Sequence, residues 1–258
     1  MHPVLVQIGP LTIRYYGLMY VIAFTVGFFL LASEVRRKGL ALSRDDLLDL
    51  LLWTIPIAIV GARLYYVAFR WDYYGAHPFD ILKIWQGGLA IHGGVLAGAL
   101  TVFLFARAKR VPFWALTDTL APSLILGQAI GRIGNLMNGD AYGTPTTLPW
   151  GIHFPADSPA GMAYPGQATH PSMIYEMILN LMIFGYLWAI RKKGYKDGFI
   201  TAMYFILYAV ARSIVSFTRG DSLWLGPVRA AHVISGAFII AFGALIWARQ
   251  LYRKEAKA

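Results

Sequence analysis

Three arginines, Arg132, Arg212 and Arg219, lie inside or directly beside apolar stretches of the sequence. An arginine side chain presents a planar fork of N–H groups that can hold a phosphate through two hydrogen bonds at once. Arg212 and Arg219 are seven residues apart, so they share one face if a helix continues through both. Several arginines in an apolar setting indicate a site for a phosphate-bearing lipid headgroup. The alternative is that each arginine only extends to phosphates at a membrane surface, with no further role.

A second candidate is the segment 131–143, which reads GRIGNLMNGDAYG and follows directly on an apolar stretch. Its glycines would let the backbone approach a ligand closely, and exposed backbone amides can hold an anion. Asn135 adds a neutral donor and acceptor, and Asp140 offers a carboxylate. The alternative is a simple turn, because the Asn-Gly-Asp sequence within the segment is favourable turn chemistry.

Three further residues stand where apolar stretches begin. His92 lies between glycine pairs in GGLAIHGG, and a histidine accepts a proton near neutral pH, as a general base must. The alternative for His92 is a histidine at a helix start that is bonded to a backbone carbonyl. Glu176 follows the sequence HPSMIY, and Tyr16 opens the first apolar stretch.

The elements that must position these residues are membrane helices. Of the 258 residues, 57% are hydrophobic and 14% are charged, whereas a soluble domain carries about 25% charged residues. This composition excludes disorder, and the absence of cysteine excludes a disulfide scaffold, a Cys-ligated zinc site and a cysteine nucleophile. A bilayer span needs about 20 predominantly apolar residues. Seven stretches approach or exceed this length: Tyr15–Ser33, Leu47–Phe69, Leu89–Phe105, Phe113–Ile130, Pro171–Ile190, Phe199–Phe217 and Ala230–Leu251.

We therefore predict an all-α, polytopic integral membrane protein with about seven transmembrane helices, forming a single transmembrane domain over residues 1–258. Basic loops stay in the cytoplasm, so the distribution of Lys and Arg fixes the orientation. Fifteen of the 23 basic residues lie at or just beyond the ends of the first, third, fifth and seventh spans, which places the N-terminus in the periplasm and the C-terminus in the cytoplasm. The net charge of +10 is thus largely a topology signal, and no nucleic-acid-binding motif accompanies it.

The other eight basic residues are not needed for this orientation: Arg14, Arg63, Arg70, Lys83, Arg132, Arg212, Arg219 and Arg229. Arg63 follows the inner start of its span by sixteen residues, which corresponds to a depth of about 24 Å. The same calculation, made from the start of its own span, places Arg212 at about the same depth. Ionisable side chains within spans usually face a polar cavity. We therefore expect Arg63, Arg132 and Arg212, with Glu176 and His92, to form a site towards the outer leaflet.

The motifs together identify the family. GRIGNLMNGDAYG, with IHGGVLAG, YYGLMY and HPSMIYE in the same order along the chain, resembles the bacterial prolipoprotein diacylglyceryl transferase family. The resemblance implies a transferase of the bacterial cytoplasmic (inner) membrane. It would move the diacylglyceryl group of phosphatidylglycerol to the lipobox cysteine of a prolipoprotein, form a thioether and release glycerol 1-phosphate. No cofactor and no metal are implied.

The resemblance also assigns roles to residues. Arg132 and Arg212 match the family's two essential arginines, and His92 matches the proposed base for the thiol. Tyr16, Asn135 and Gly143 match residues at the substrate site. We add Arg63 and Glu176 as substrate-binding candidates from their depth, Arg219 from its spacing to Arg212, and Asp140 as the alternative base. The extracytoplasmic loop region at about 139–170 would lie near the incoming peptide.

The chain departs from the family pattern at three positions. Asp140 stands where glutamate is usual, Ser216 stands where an acidic residue is expected, and Thr144 replaces a common arginine. The last two changes predict an altered salt-bridge network around Arg212 and Arg219. Two other classes stay open: a lipid transporter or scramblase that uses the same arginines, and a membrane serine protease built on Ser235 and His232.

Overall fold

The computed structural model describes residues 3–9 and 11–254. Lys257, one of the basic residues that support the predicted orientation, lies outside the described residues, as do both ends of the chain. The chain divides into two compact units, and each is described by itself. Unit 1 comprises Met1–Ser33 and Asp118–Ala258, and unit 2 comprises Glu34–Thr117. Both boundaries fall inside a helix, and the predicted single domain stays a prediction.

Seven long helices dominate the described residues, and each coincides with one predicted span. They are α1 (Tyr15–Lys38), α2 (Arg44–Phe69), α4 (Ile91–Ala108), α5 (Phe113–Asn138), α7 (Ser172–Ile190), α8 (Phe199–Ser216) and α9 (Ala230–Arg249). Two short helices, α3 (Trp71–Tyr74) and α6 (Pro159–Ala163), complete the numbering, together with 3-10 turns at Pro78–Leu82 and Ile84–Gln86. The prediction of an all-α, polytopic membrane protein is confirmed.

Six of these helices are long and apolar enough to cross a membrane by length and composition. The exception is α5, whose 26 residues include the polar side chains of Asp118, Gln128 and Arg132. The number of spans and the orientation of the termini therefore stay predictions.

In unit 2, α2 and α4 pack at very short range because glycines face each other. A Cβ atom on Gly93 would collide with the carbonyl oxygen of Gly61, and one on Gly61 would collide with Ala97. The start of α2 is fixed by a capping box, in which Ser43 and Asp46 each accept a hydrogen bond from the other's backbone N–H.

In unit 1, α5, α7 and α8 share an apolar core that includes Ile125, Leu187 and Ile200. At one end of this core, the carboxylate of Asp118 accepts hydrogen bonds from the backbone N–H groups of Gly198 (2.9 Å) and Thr201 (2.8 Å). N–H groups at a helix start have no acceptor within the helix, so Asp118 acts as the cap of α8.

Three short antiparallel strand pairs, which we did not predict, lie outside the long helices. They are β1 (Val4–Ile8) with β2 (Leu11–Arg14), β3 (Ile152–His153) with β4 (Ala168–Thr169), and β5 (Trp224–Leu225) with β6 (Val228–Arg229). All three belong to unit 1, where they fold back the segments that precede or join its helices.

Candidate active site

The segment 131–143 forms the end of a helix and the turn after it. Our expectation of a glycine-rich loop with free amides is wrong for residues 131–138, because α5 continues to Asn138 and its amides are used within the helix. Gly134 serves packing instead: a Cβ atom there would lie 3.1 Å from the ring of Tyr16. The turn alternative is correct at Gly139, whose φ of +73° is readily adopted by glycine.

The last turn of α5 carries Arg132 and Asn135 on one face. Arg132 Nη1 donates to Asn135 Oδ1 at 3.2 Å. Asn135 Nδ2 in turn donates to Asp140 Oδ1 at 2.8 Å and contacts Tyr16 Oη at 3.4 Å. The amide of Asn135 therefore connects the signature arginine, the candidate carboxylate base and the tyrosine of α1.

Glu176 is the centre of the site. It lies in the second turn of α7, its side chain is fully buried, and it forms an ion pair with Arg132. Glu176 Oε2 lies 3.7 Å from Arg219 Nη1. Glu176 Oε1, the oxygen that pairs with Arg132, lies 3.4 Å from Tyr208 Oη of α8. Glu176 thus joins α5, α7 and the end of α8 through one carboxylate.

Arg212 and Arg219 reach this carboxylate from different elements. The condition under which they would share a helical face is not met, because α8 ends at Ser216 and Arg219 lies beyond it. Arg212 is close enough to Glu176 and to the other two arginines to interact with them electrostatically. Arg219 also forms a bidentate pair with Asp221, at 2.6 and 2.7 Å.

We call Arg132, Arg212, Arg219 and Glu176 the arginine cluster. Arg132 and Arg219 pair with one buried carboxylate and Arg212 interacts with it electrostatically, so positive charge remains in excess even when Asp221 is counted. Within the described residues, the buried Nη1 of Arg212 and Nε of Arg132 have no hydrogen-bond partner. Buried charged donors without acceptors are costly, and an anion would supply both the acceptors and the missing charge. The arrangement is suited to binding a phosphate.

Gly143 allows the loop after α5 to pack against the end of α8. Its backbone pairs with that of Arg219, and the N–H of Thr144 donates to Thr218 at 2.8 Å. A Cβ atom on Gly143 would collide with the carbonyl oxygen of His170. Gly143 therefore sets the position of the backbone beside Arg219, and substitution would displace it.

Elsewhere in the loop region 139–170, a shallow open depression is lined by Pro145, Thr146, Thr147, Gln167 and Ala168. The arginine cluster does not line this depression. Burial raises the pKa of the Tyr142 hydroxyl at the base of the loop, and the nearby carboxylate of Asp221 raises that pKa further.

The two remaining predicted site residues belong to unit 2. Arg63 is buried, and its guanidinium donates to four backbone carbonyls, at 2.5 to 3.0 Å: those of Asp80, Ile81, Gly87 and Gly88. This geometry favours a role in holding the loop after α2. His92 is the second residue of α4, is exposed, and has its ring 6.0 Å from that of Tyr65.

Sequence reasoning missed two members of this network, Asp221 and Tyr208. Asp221 lies past the last apolar stretch considered for the site, although its position two residues after Arg219 was a usable signal. Tyr208 precedes Arg212 by four residues, one helical turn, which also places it on the face of the site. The Ser216 hydroxyl is fully buried and unpaired among the described residues.

The structure gives little support to the other chemistries considered. It does not support the protease alternative, since Ser235 is buried within α9 and the centre of the His232 ring lies 4.9 Å from that of Phe217. Over residues 3–9 and 11–254, no group of three or more His, Asp or Glu side chains is placed to hold a metal ion. The expectation of a reaction without metal or cofactor stays a prediction.

Fold and site define a class: a multi-pass helical membrane protein with a partly buried arginine cluster that is suited to binding an anion. A family model described as prolipoprotein diacylglyceryl transferase matches residues 3–248. The chain is 44% identical over 239 residues to the phosphatidylglycerol–prolipoprotein diacylglyceryl transferase of Nostoc sp. The aligned region covers 90% of this chain and 84% of that protein. It is 42% identical over 259 residues to the enzyme of that name from Synechococcus elongatus (97% and 89% covered). It is 41% identical over 262 residues to that from Geobacillus kaustophilus (98% and 96%).

These similarities extend over nearly the whole chain at well above chance identity. The chain belongs to the prolipoprotein diacylglyceryl transferase family.

Proposed function

We propose that this chain transfers the diacylglyceryl group of phosphatidylglycerol to the lipobox cysteine thiol of a prolipoprotein. The products are a thioether-linked lipoprotein precursor and glycerol 1-phosphate, and the reaction is the first step of bacterial lipoprotein maturation. The names of the relatives support the transferase activity and its two substrates. The observation that carries the proposal in this chain is the arginine cluster, with its excess positive charge and unpaired donors.

In the proposed reaction, the cysteine thiolate attacks the glycerol carbon that bears the phosphate. A sulfur–carbon bond forms, the carbon–oxygen bond to the phosphate breaks, and the electron pair of that bond leaves with glycerol 1-phosphate. Arg132 and Arg212 bind the phosphate and stabilise the negative charge that grows on it as it departs. Arg219 contributes charge from its place between Glu176 and Asp221.

The thiol must lose its proton before it attacks, because the thiolate is the nucleophile. We propose His92 or Asp140 as the acceptor. Asp140 is supported by its hydrogen bond with Asn135, which connects it to Arg132 and Tyr16. His92 is supported by its exposure at the start of α4 and by the family resemblance. Activity against pH in His92→Gln and Asp140→Asn distinguishes them, since only loss of the true base removes the acidic limb.

The other predicted residues position the site in this proposal. Tyr16 and Asn135 orient Arg132 and Asp140, Gly143 positions the backbone beside Arg219, and Glu176 fixes the arginines before the lipid arrives. Arg63 acts on substrate only through the loop that it holds. We further propose an inner-membrane location, with the site towards the outer leaflet. The loop region 139–170 would then receive the signal peptide.

The test uses purified protein in detergent with phosphatidylglycerol and a lipobox peptide. Thioether formation is followed by the mass of the peptide, and glycerol phosphate release by an independent assay. We expect both products in equal amounts from the native chain, a large loss in Arg132→Ala, and no loss in Arg70→Ala, an exposed arginine outside the cluster. A chain that forms no thioether in detergent but moves labelled lipid between the leaflets of reconstituted vesicles would instead be a scramblase, and the proposal would be wrong.

A further inference from the structure

The hydrogen bonds around Glu176 define a layer across three helices. Arg132 of α5 pairs with Glu176 of α7, and Tyr208 of α8 lies 3.4 Å from the same carboxylate oxygen. We call these three residues the arginine layer. They lie near the ends of α5 and α7, where a membrane helix meets the headgroups.

A second polar layer lies one helical turn away, nearer the middle of α5 and α7 and nearer the start of α8. Gln128, Asn180 and Tyr204 each stand four residues from a member of the arginine layer, on the same helix face. Four residues correspond to a rise of about 6 Å. Gln128 Nε2 donates to Tyr204 Oη at 2.9 Å, which shows that α5 and α8 meet at this level. We call these three residues the amide layer.

The amide layer holds polar atoms that the protein leaves unused. Asn180 is fully buried, and neither its Nδ2 nor its Oδ1 has a hydrogen-bond partner in the described part of the chain. The buried Oε1 of Gln128 is also unpaired there. Buried polar groups are hydrogen-bonded in most proteins, so an unpaired carboxamide at a helix interface requires an explanation.

The apolar core closes this polar region on its inner side. Ile125, Ile183 and Ile200 belong to the buried apolar cluster and lie closer to the other end of the same helices. The amide layer is therefore the floor of the polar region that begins at the arginine cluster.

We propose that Asn180, assisted by Gln128, binds the acyl ester carbonyls of the lipid donor and makes the enzyme selective for ester-linked over ether-linked lipids. This inference rests on the proposed function. In a glycerophospholipid, the esters follow the phosphate across the glycerol carbons, towards the acyl chains. With the phosphate at the arginine layer, the esters fall at the level of the amide layer.

The chemistry of the amide layer matches an ester. The Nδ2 of Asn180 is a neutral donor, and an ester carbonyl is a strong acceptor, whereas an ether-linked chain has no carbonyl to offer. Because Asn180 is fully buried, α5, α7 and α8 must separate locally to admit the lipid. The unpaired amide raises the free energy of the closed arrangement, and the hydrogen bond to an ester lowers that of the open one.

The test compares two donors, phosphatidylglycerol with ester-linked chains and its dialkyl ether counterpart, mixed in detergent with a lipobox peptide. We expect the native chain to consume the ester lipid about tenfold faster, the effect of one good hydrogen bond. In Asn180→Leu the ratio should approach one, because the ester rate falls and the ether rate does not. Any intrinsic difference in reactivity between the lipids is the same for both proteins.

Ser123→Ala is the matched control. It also removes a buried, unpaired hydroxyl from α5, but on the side that faces Gly27 of α1, so the ratio should stay at its native value. Equal consumption of both lipids by the native chain would overturn the inference, even if Asn180→Leu does not fold. Equal loss of both rates in a folded Asn180→Leu would also overturn it, by showing a structural role or a bound water. If the native chain consumes neither lipid, it is the proposed function that fails.

Discussion

Arg63 in unit 2 and Arg212 in unit 1 are both arginines in long apolar helices, but their surroundings are opposite. The guanidinium of Arg63 meets four backbone carbonyls that hold the loop 80–88. Arg212 stands near two other arginines and one carboxylate, and its buried Nη1 has no partner in the described residues. The depth in the membrane that is estimated from sequence position is about the same for both arginines. Hydrogen-bond satisfaction separates an arginine that serves the fold from one that is available to a ligand.

The largest expected effect tests the charge balance of the arginine cluster. Glu176→Gln neutralises the buried carboxylate and leaves Arg132 and Arg212 without a counter-charge, while Arg219 keeps only Asp221, so we expect a loss of about 3–5 kcal/mol in the free energy of unfolding. Denaturant unfolding in detergent measures this loss. Asp221→Asn is the control, since Asp221 is partly exposed and its pair contributes at most about 1 kcal/mol. Equal stability of Glu176→Gln and the native chain would mean that the cluster is not assembled as described.

The next effect concerns the structural arginine. Arg63→Met keeps an apolar stem but leaves the carbonyls of the loop 80–88 without their donor, at a cost of about 1–3 kcal/mol. The melting temperature should fall, while the rate per folded molecule stays close to the native value. A stable Arg63→Met protein that has lost lipid binding would show that Arg63 contacts substrate and would remove the contrast with Arg212.

A smaller effect is expected at Asn135, which connects Arg132 with Asp140. Asn135→Ala deletes hydrogen bonds of 3.2 and 2.8 Å, and we expect a loss of about 1 kcal/mol in stability because the site is only half-buried. Asn135→Asp should be less active than Asn135→Ala, since it places a second carboxyl group beside that of Asp140. Thermal unfolding and initial rates measured on the same preparations check both statements.

The smallest effect is the acid sensitivity of the loop held by Arg63. Hydrogen bonds from Lys83 and then Tyr73 lower the pKa of Asp80 below its usual 3.8. A lowered pKa in the folded state adds stability above the unfolded pKa, and this is lost as the pH falls through the folded value. Below pH 4 the native chain should therefore lose stability more steeply than Asp80→Asn. If the free energy of unfolding depends on pH in the same way for both proteins, the hydrogen bonds of Asp80 do not stabilise the fold.

The helices could be predicted from sequence because apolar length is a strong signal, and each predicted span coincides with one long helix. Our expectation of a loop at Gly131 and Gly134 is wrong, because α5 continues through both and Gly134 packs against the ring of Tyr16. The depth argument brought Arg132, Arg212 and Glu176 to one level. It could not show which partners each would have, because pairing depends on helix rotation and on turns such as the one that returns Arg219 to Glu176.

The most direct test compares Arg212→Ala with Arg63→Met in one assay. Glycerol phosphate release from phosphatidylglycerol is measured per folded molecule, with a lipobox peptide as acceptor. Loss of a donor that stabilises developing charge should slow Arg212→Ala about 100-fold to 1,000-fold. Arg63→Met should stay within about threefold of the native rate, because its guanidinium serves backbone carbonyls. Native rates in Arg212→Ala, or equal losses in both variants, would contradict the assignment of the arginine cluster as the phosphate site.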